Sequence, residues 1–374
     1  MKTSKLILAA ASVLILFLWA TPGFSQGNSP LEDKNNGVFK VKSKAEMAKN
    51  LDKLNKKGKA EYEKAKNELK KIKNPTFELA PNEVLNKNPK ELLGLMPMNK
   101  QDEDFMKKQN LENKKNEKKI LQGFKDAGLD ASSYSFTNYS ISINTLTLDP
   151  FLSCSWNKSI LTPVRNQSSC GSCWAFAAAA AFEHSYNKFY GSVSSPVDLS
   201  EQQILACGKT SSGLDAGSCS GGYTNRALDY IKWHGVTLEP YYRYTATSSP
   251  CNSNSYAVKA GSFGTFNPAG RFPTVSEIKA LINLFGAVTT SMKAGLSSFF
   301  SYGGGVYNGY PSNSTETDHA VIIVGWCDNL NAWIIKNSWG TNWGPYGGYA
   351  YVGYDQCNIG RKRVCWVYPN KIQN

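Results

Sequence analysis

An α+β fold in two halves, helical first and strand-rich second, is what residues 145–374 of this 374-residue chain predict. The strongest helix signal is Cys173-Trp174-Ala175-Phe176, five alanines and Phe182; alanine is the best helix former. Weaker helix signals follow at 199–206 and 224–234. After about residue 255, short apolar runs alternate with glycines at 287–292, 320–326, 333–336, 349–354 and 364–368, a strand pattern. Helices and strands segregated along the chain imply two subdomains with a cleft between them.

The N-terminal part has a different texture. Lys2 and Lys5 precede an apolar run from Leu6 to Ala20, with small residues for cleavage near Ser25. That is an export signal over 1–25, too short and wrongly flanked for a stable membrane span. Residues 26–144 follow as a second unit. Met47, Leu51, Leu54, Gly58, Ala65, Leu69 and Ile72 form a narrow apolar stripe, predicting one long helix over 44–73 that Pro75 ends. Asn88-Pro89-Lys90-Glu91 predicts a capped short helix through Leu92 and Leu93. The polar run 101–119 reads as a solvated helix or linker.

The formal net charge is +13, with 41% hydrophobic and 19% charged residues. These values exclude wholesale disorder and a multispan membrane protein. Residues 1–144 carry 26 Lys+Arg against 17 Asp+Glu, so the basic excess sits mainly outside the second unit. Basic residues do not cluster with aromatics in the folded part, which argues against a nucleic-acid partner. All nine cysteines fall at or after Cys154, and such usage suits an oxidising compartment.

The sharpest local signal is Gln167-Ser168-Ser169-Cys170-Gly171-Ser172-Cys173-Trp174-Ala175-Phe176. It places Cys173 where a glycine-containing loop enters a helix, and the free N–H groups there favour a thiolate. A cysteine nucleophile also needs an imidazole. Of three histidines, His184 lies eleven residues along the same helix and cannot reach; it reads as a helix-surface or packing residue. His234 sits at a helix end. His319 opens the apolar strand that starts the second half of the cleft, a fit place for a base.

With these residues the chain resembles a papain-family, cathepsin-like cysteine protease with an N-terminal inhibitory prosegment. The family's Q-x-x-C-G-S-C-W-A-F element stands at Gln167–Phe176, its D/N-H-A-V element at Asp318–Val321 and its C-x-G-G element at Cys219–Gly222. Its K-N-S-W-G-x-x-W-G element runs from Lys336 to Gly344. The stretches Phe77–Val84 and Asn88–Leu92 resemble the family's prosegment more weakly. The resemblance implies a helical half, a β-barrel-like half and a helical prodomain over 26–144, with the peptidase over 145–374. It implies Cys173 as nucleophile, His319 as its partner, Asn337 as the group holding His319, and Gln167 as an oxyanion donor. Trp339 would shield the His319–Asn337 bond, while Trp343 reads as structural. The backbone of Gly221 and Gly222 would pair with substrate. Tyr223, Thr224, Ser291, Thr317 and Ala320 would wall the pocket for the second residue before the scissile bond. Counting forward from Cys357 puts Arg361-Lys362-Arg363 near that pocket's floor, whereas counting back from Tyr368 puts Cys365 there. Both alignments stay open.

The resemblance further implies disulfides Cys170–Cys219 and Cys207–Cys251. Cys154, Cys327, Cys357 and Cys365 remain, with three possible pairings. No cofactor or metal is expected. The expected partners are peptide or protein substrates and the chain's own prosegment, with the enzyme a monomer in a secreted, periplasmic or lysosome-like compartment. A redox dithiol at Cys170 and Cys173 lacks a βαβ context, a zinc site lacks a second ligand pair, and a catalytically silent binding protein would be expected to have lost its nucleophile. Ser168 departs from the family's usual glycine.

Overall fold

The computed structural model describes residues 41–129, 134–136, 141–143, 154–156, 160–191, 196–252, 258–266 and 271–370. The expected export signal lies outside them.

The described residues open with α1 (Lys44–Ala48), a 3₁₀ turn and α2 (Lys56–Leu69). The expected single helix is therefore broken at Leu54-Asn55. Asn55 leaves the helical conformation and its side chain caps α2 by accepting from Gly58 N–H, a bond that asparagine offers in competition with helix continuation. The break turns Leu51 out to 43% exposure while Met47, Leu54 and Ala65 stay buried. Strand β1 (Phe77–Leu79) follows, then α3 (Pro89–Leu92). The expected capping box is present in α3: the Asn88 side chain and Glu91 close it reciprocally.

Of the expected solvated helix or linker, the helix is what forms, as α4 (Lys100–Lys115) and α5 (Glu117–Asp126), but it is not solvated all round. Asp102, Met106, Gln109, Asn110 and Asn113 of α4 are buried against the rest of the chain. Lysines fill the opposite side, which is why composition alone read as solvated. The short strands β2 (Tyr134–Phe136), β3 (Ile141–Ile143) and β4 (Cys154–Trp156) come next.

The helical half contains α6 (Cys173–Tyr190), α7 (Glu201–Cys207) and α8 (Thr224–Trp233), with the two-residue strands β5 (Gly217–Ser218) and β6 (Gly221–Gly222) between the last two. Helix α6 is the buried spine, because small alanines let strands and helices approach it on several sides. The strand-rich half contains β7 (Ala260–Thr265), α9 (Val275–Phe285), β8 (Val288–Met292), α10 (Ser297–Phe300), β9 (Tyr302–Tyr307), β10 (His319–Cys327), β11 (Ala332–Lys336), β12 (Tyr349–Gly353) and β13 (Cys365–Pro369).

These strands form one open sheet in the order β1-β9-β12-β11-β10-β8-β13-β7, with β4 also paired to β10. The fold is α+β as expected, but the sheet does not close into a barrel. Its two ends are occupied differently: β1 pairs antiparallel with β9, and β7 lies at the far end. Disulfides join Cys170–Cys219 and Cys207–Cys251, as the resemblance implied, and also Cys154–Cys327. Cys357 and Cys365 are free, buried thiols, so the even count of remaining cysteines does not translate into four bonds.

Candidate active site

Cys173 is the first residue of α6, so its thiol stands over unpaired helix N–H groups. The preceding loop is pinned by the Cys170–Cys219 disulfide and by Gly171 N–H donating to the Cys219 carbonyl at 2.9 Å. Ser168 takes φ +54°, a conformation that glycine adopts freely. Its N–H is held by the Asn166 side chain at 2.9 Å.

His319 opens β10 and is fully buried. Its Nε2 faces the Asn337 Oδ1 at 2.8 Å, and that oxygen also accepts from Ser338 N–H at 2.8 Å. An oxygen fed by two donors assigns the ring proton to Nε2 and leaves Nδ1 free to accept. The Trp339 ring lies 4.7 Å from the imidazole, centroid to centroid, and is itself buried. The Ala320 backbone hydrogen-bonds the Cys173 sulfur, which brings the start of β10 beside the head of α6. Gln167 is fixed by Ser338 Oγ–H donating to its Oε1 at 2.7 Å.

The cleft is covered by the chain's own residues 92–96. The Leu92 carbonyl accepts from Gln167 Nε2 at 3.2 Å and from Trp339 Nε1 at 3.3 Å. Gly222 N–H donates to the Gly94 carbonyl at 2.8 Å, and Met96 N–H donates to the Gly222 carbonyl at 2.9 Å. Gly94 also hydrogen-bonds the Cys173 sulfur through its backbone.

That cover controls the electrostatics. Burial pushes the Cys173 thiol up to about 11, against backbone bonds from Ala320 and Gly94. Burial likewise drives the His319 imidazole down to about 4, against the Asn337 bond. Burial therefore disfavours the charged form of both groups while the cover is in place, and so works against a resting thiolate–imidazolium pair.

The other two histidines are elsewhere. His184 is buried, not on a helix surface; its Nε2 accepts from Thr162 N–H at 3.3 Å beside the Lys336 ammonium. Burial and that cation hold its pKa well below the usual value. His234 is exposed and stacks on Tyr230.

The expected wall residues Thr224, Ser291 and Ala320 are buried, while Tyr223 and Thr317 are half-buried. Arg363, which the first of the two floor alignments names, lies against the covering segment. Its Nη2 donates to the Met96 carbonyl in the covering segment, and its Nη1 is buried without a partner. Cys365 instead turns its thiol toward Thr289 and Thr265 inside the sheet. Two residues near the cleft had no sequence signal. Asp102 of α4 receives Arg226 Nε at 2.7 Å and Nη2 at 3.1 Å, and the Arg226 guanidinium lies 3.9 Å from the Tyr223 ring centre.

Among the described residues no group of three or more His, Cys, Asp or Glu side chains could hold a metal ion. No helix among them is long and apolar enough to cross a membrane.

The sequence profile of the papain family cysteine proteases matches residues 151–367. The chain belongs to the papain family. The match takes in β4, the whole helical half and almost all of the strand-rich half, and therefore every residue of the constellation around Cys173. Cathepsin L2 of Homo sapiens is 34% identical over 236 residues, 60% of this chain and 67% of that protein. Digestive cysteine proteinase 2 of Homarus americanus is 34% identical over 213 residues, 56% of this chain. A cysteine protease of Blomia tropicalis is 34% identical over 207 residues, 54% of this chain. The matched stretch spans 62% of the Homarus protein and 61% of the Blomia protein. Among solved structures, one from work on the mite allergens Blo t 1 and Der p 1 superimposes with TM-score 0.60 and 25% identity. It covers 84% of this chain and 94% of that one. The procathepsin L2 proteinase of Tenebrio molitor larval midgut gives TM-score 0.60 at 22% identity, covering 87% of this chain and all of that one, a likeness of fold.

Proposed function

We propose that this papain-family chain is the exported zymogen of a cysteine endopeptidase, covered by its own N-terminal segment. The observation that carries the reading is the Cys173–His319–Asn337 arrangement, with the Gln167 amide already holding a peptide carbonyl, that of Leu92, at 3.2 Å. Once the cover leaves, water returns and the charged pair becomes accessible. The thiolate of Cys173 then attacks the substrate carbonyl carbon. Charge gathers on the carbonyl oxygen, where the Gln167 side chain and the Cys173 N–H donate to it. Protonated His319 gives its proton to the leaving amine, and water then releases the acyl group from sulfur. Asn337 keeps the imidazole turned toward sulfur, and Trp339 shields that bond. Gly222, with Gly221 beside it, offers substrate the main-chain groups that now hold residues 94–96. The disulfides suit an oxidising destination, in line with residues 1–25 as an export signal.

Peptide hydrolysis under reducing conditions, with and without a thiol-alkylating inhibitor, tests this. Cys173→Ala should abolish turnover and leave an unprocessed chain; normal turnover by that variant would remove the central claim. His319→Ala should lose on the order of 10²–10⁴ in rate, with Asn337→Ala losing less because it orients without exchanging the proton.

Arg363 supports a preference at the second residue before the scissile bond. A medium apolar side chain fits the small wall, and a carboxylate there would meet an unpartnered, buried guanidinium N–H. A peptide library varied at that position should rank Glu above Lys. The reverse order would refute the assignment.

A further inference from the structure

Helix α4 is among the most polar stretches of the chain, yet polar groups are what dock it. Asp102 is 1% exposed and takes both ends of the Arg226 fork. Arg226 also donates to the Asp215 carbonyl at 2.8 Å, so the guanidinium is fixed over the Tyr223 ring. Asn110 behaves as a strand residue: its Nδ2 donates to the Thr265 carbonyl at 3.1 Å and its Oδ1 accepts from Thr265 N–H at 3.3 Å. Asn113 Nδ2 donates to the Phe263 carbonyl at 2.8 Å. These bonds cap the outer edge of β7, which would otherwise present open main-chain groups. Lys232 of α8 closes the far end with Gln109 at 3.1 Å and Glu112 at 2.9 Å. Helix α5 adds an apolar anchor, the Phe124 ring packed 4.8 Å from Phe189 and 5.4 Å from Phe285.

The stretch just before α4 is different. Met96, Pro97, Asn99 and Lys100 are exposed, and exposed connections are where proteolytic nicking concentrates. Stripping α4 and α5 as well would strand the buried Arg226 charge without its carboxylate, open β7 and empty the Phe124 socket. Cutting at 96–100 frees the cleft and leaves all three intact.

We propose that α4 and α5 belong to the working catalytic unit: activation cuts within residues 96–100, the helices stay, and Asp102 is a positioning residue that holds Arg226 against Tyr223 at the cleft wall. What the cleft binds rests on the peptidase reading above; retention of the helices does not.

The full-length Cys173→Ala chain, treated with an added protease and passed through gel filtration, reads retention by intact mass and N-terminal sequencing, independently of its own activity. The expected product begins within 96–100, or carries a bound fragment containing 100–126. A folded product that begins after residue 129 with no such fragment overturns the proposal. The wild-type chain, activated and titrated for active sites, then reads positioning. Asp102→Asn should raise KM about fivefold or more with kcat changed less than twofold, and Asp102→Glu should recover most of that loss. Unchanged KM, or a loss confined to kcat, overturns the positioning role. If Asp102→Asn fails to fold, Arg226→Lys, which keeps the charge and loses the planar fork, must show the same split.

Discussion

At Gly94 a side chain has nowhere to go: a Cβ there would lie 1.8 Å from the Gly171 carbonyl oxygen, a main-chain atom that cannot swing aside. Gly94 is also the residue whose backbone reaches the Cys173 sulfur. Gly94→Val should therefore lift residues 92–96 off the cleft while leaving the match region 151–367 folded. Thiol labelling of the unprocessed chain measures it: Cys173 should react at least tenfold faster in the variant, and unchanged protection would refute the fit. The sequence motif placed Cys173, His319, Asn337 and Gln167 because their chemistry is tied to short local patterns. Gly94 carried no such signal, since its constraint comes from a chain segment 77 positions away, at Gly171. Asp102 and Arg226, 124 positions apart, were hidden for the same reason.

Elements built on strong local signals were legible, and elements shaped by their neighbours were not. Helix α6 and the capping box of α3 follow from alanine content and from Asn88 and Glu91. Strands β8, β10, β11, β12 and β13 stood out as apolar runs. Strands β7 and β9 did not, because Ala260–Thr265 and Tyr302–Tyr307 contain two and three glycines and gain their order from strands beside them. The sequence also missed that β1 would extend the sheet. Thr76 and Phe77 match the β9 edge, where Val306 N–H donates to the Thr76 carbonyl at 2.9 Å and the Phe77 ring sits 4.5 Å from that of Tyr307. Phe77→Ala removes that ring from a site where it is 5% exposed. Truncating a buried phenylalanine costs about 3 kcal/mol, so the segment's hold should weaken on the order of a hundredfold. Titrating the isolated segment 41–99 against the activated enzyme checks this; a change under threefold would mean that β1 contributes little.

Over the whole molecule, the N-terminal segment closes three openings at once: β1 extends one end of the sheet, α4 caps the other, and residues 92–96 fill the cleft between. The last of these buries Cys173 and His319, which the open form would expose. His319 is the group that matters, driven from the ordinary 6.5 to about 4 by burial. The covered state therefore binds fewer protons than the open state between those values. Its advantage is complete above about 6.5 and is lost as pH falls toward about 4. Cys173, pushed up to about 11, stays protonated in the covered form throughout that window and adds no slope of its own there. If the open enzyme forms a thiolate–imidazolium pair, its His319 holds a proton to higher pH and the window widens upward, with the sign unchanged. The segment 41–99, added in trans, should then inhibit the activated enzyme at least tenfold more weakly at pH 4.5 than at pH 7. Inhibition constants measured across that range decide it: a flat profile would remove His319 as the cause, and tighter binding in acid would reverse the argument.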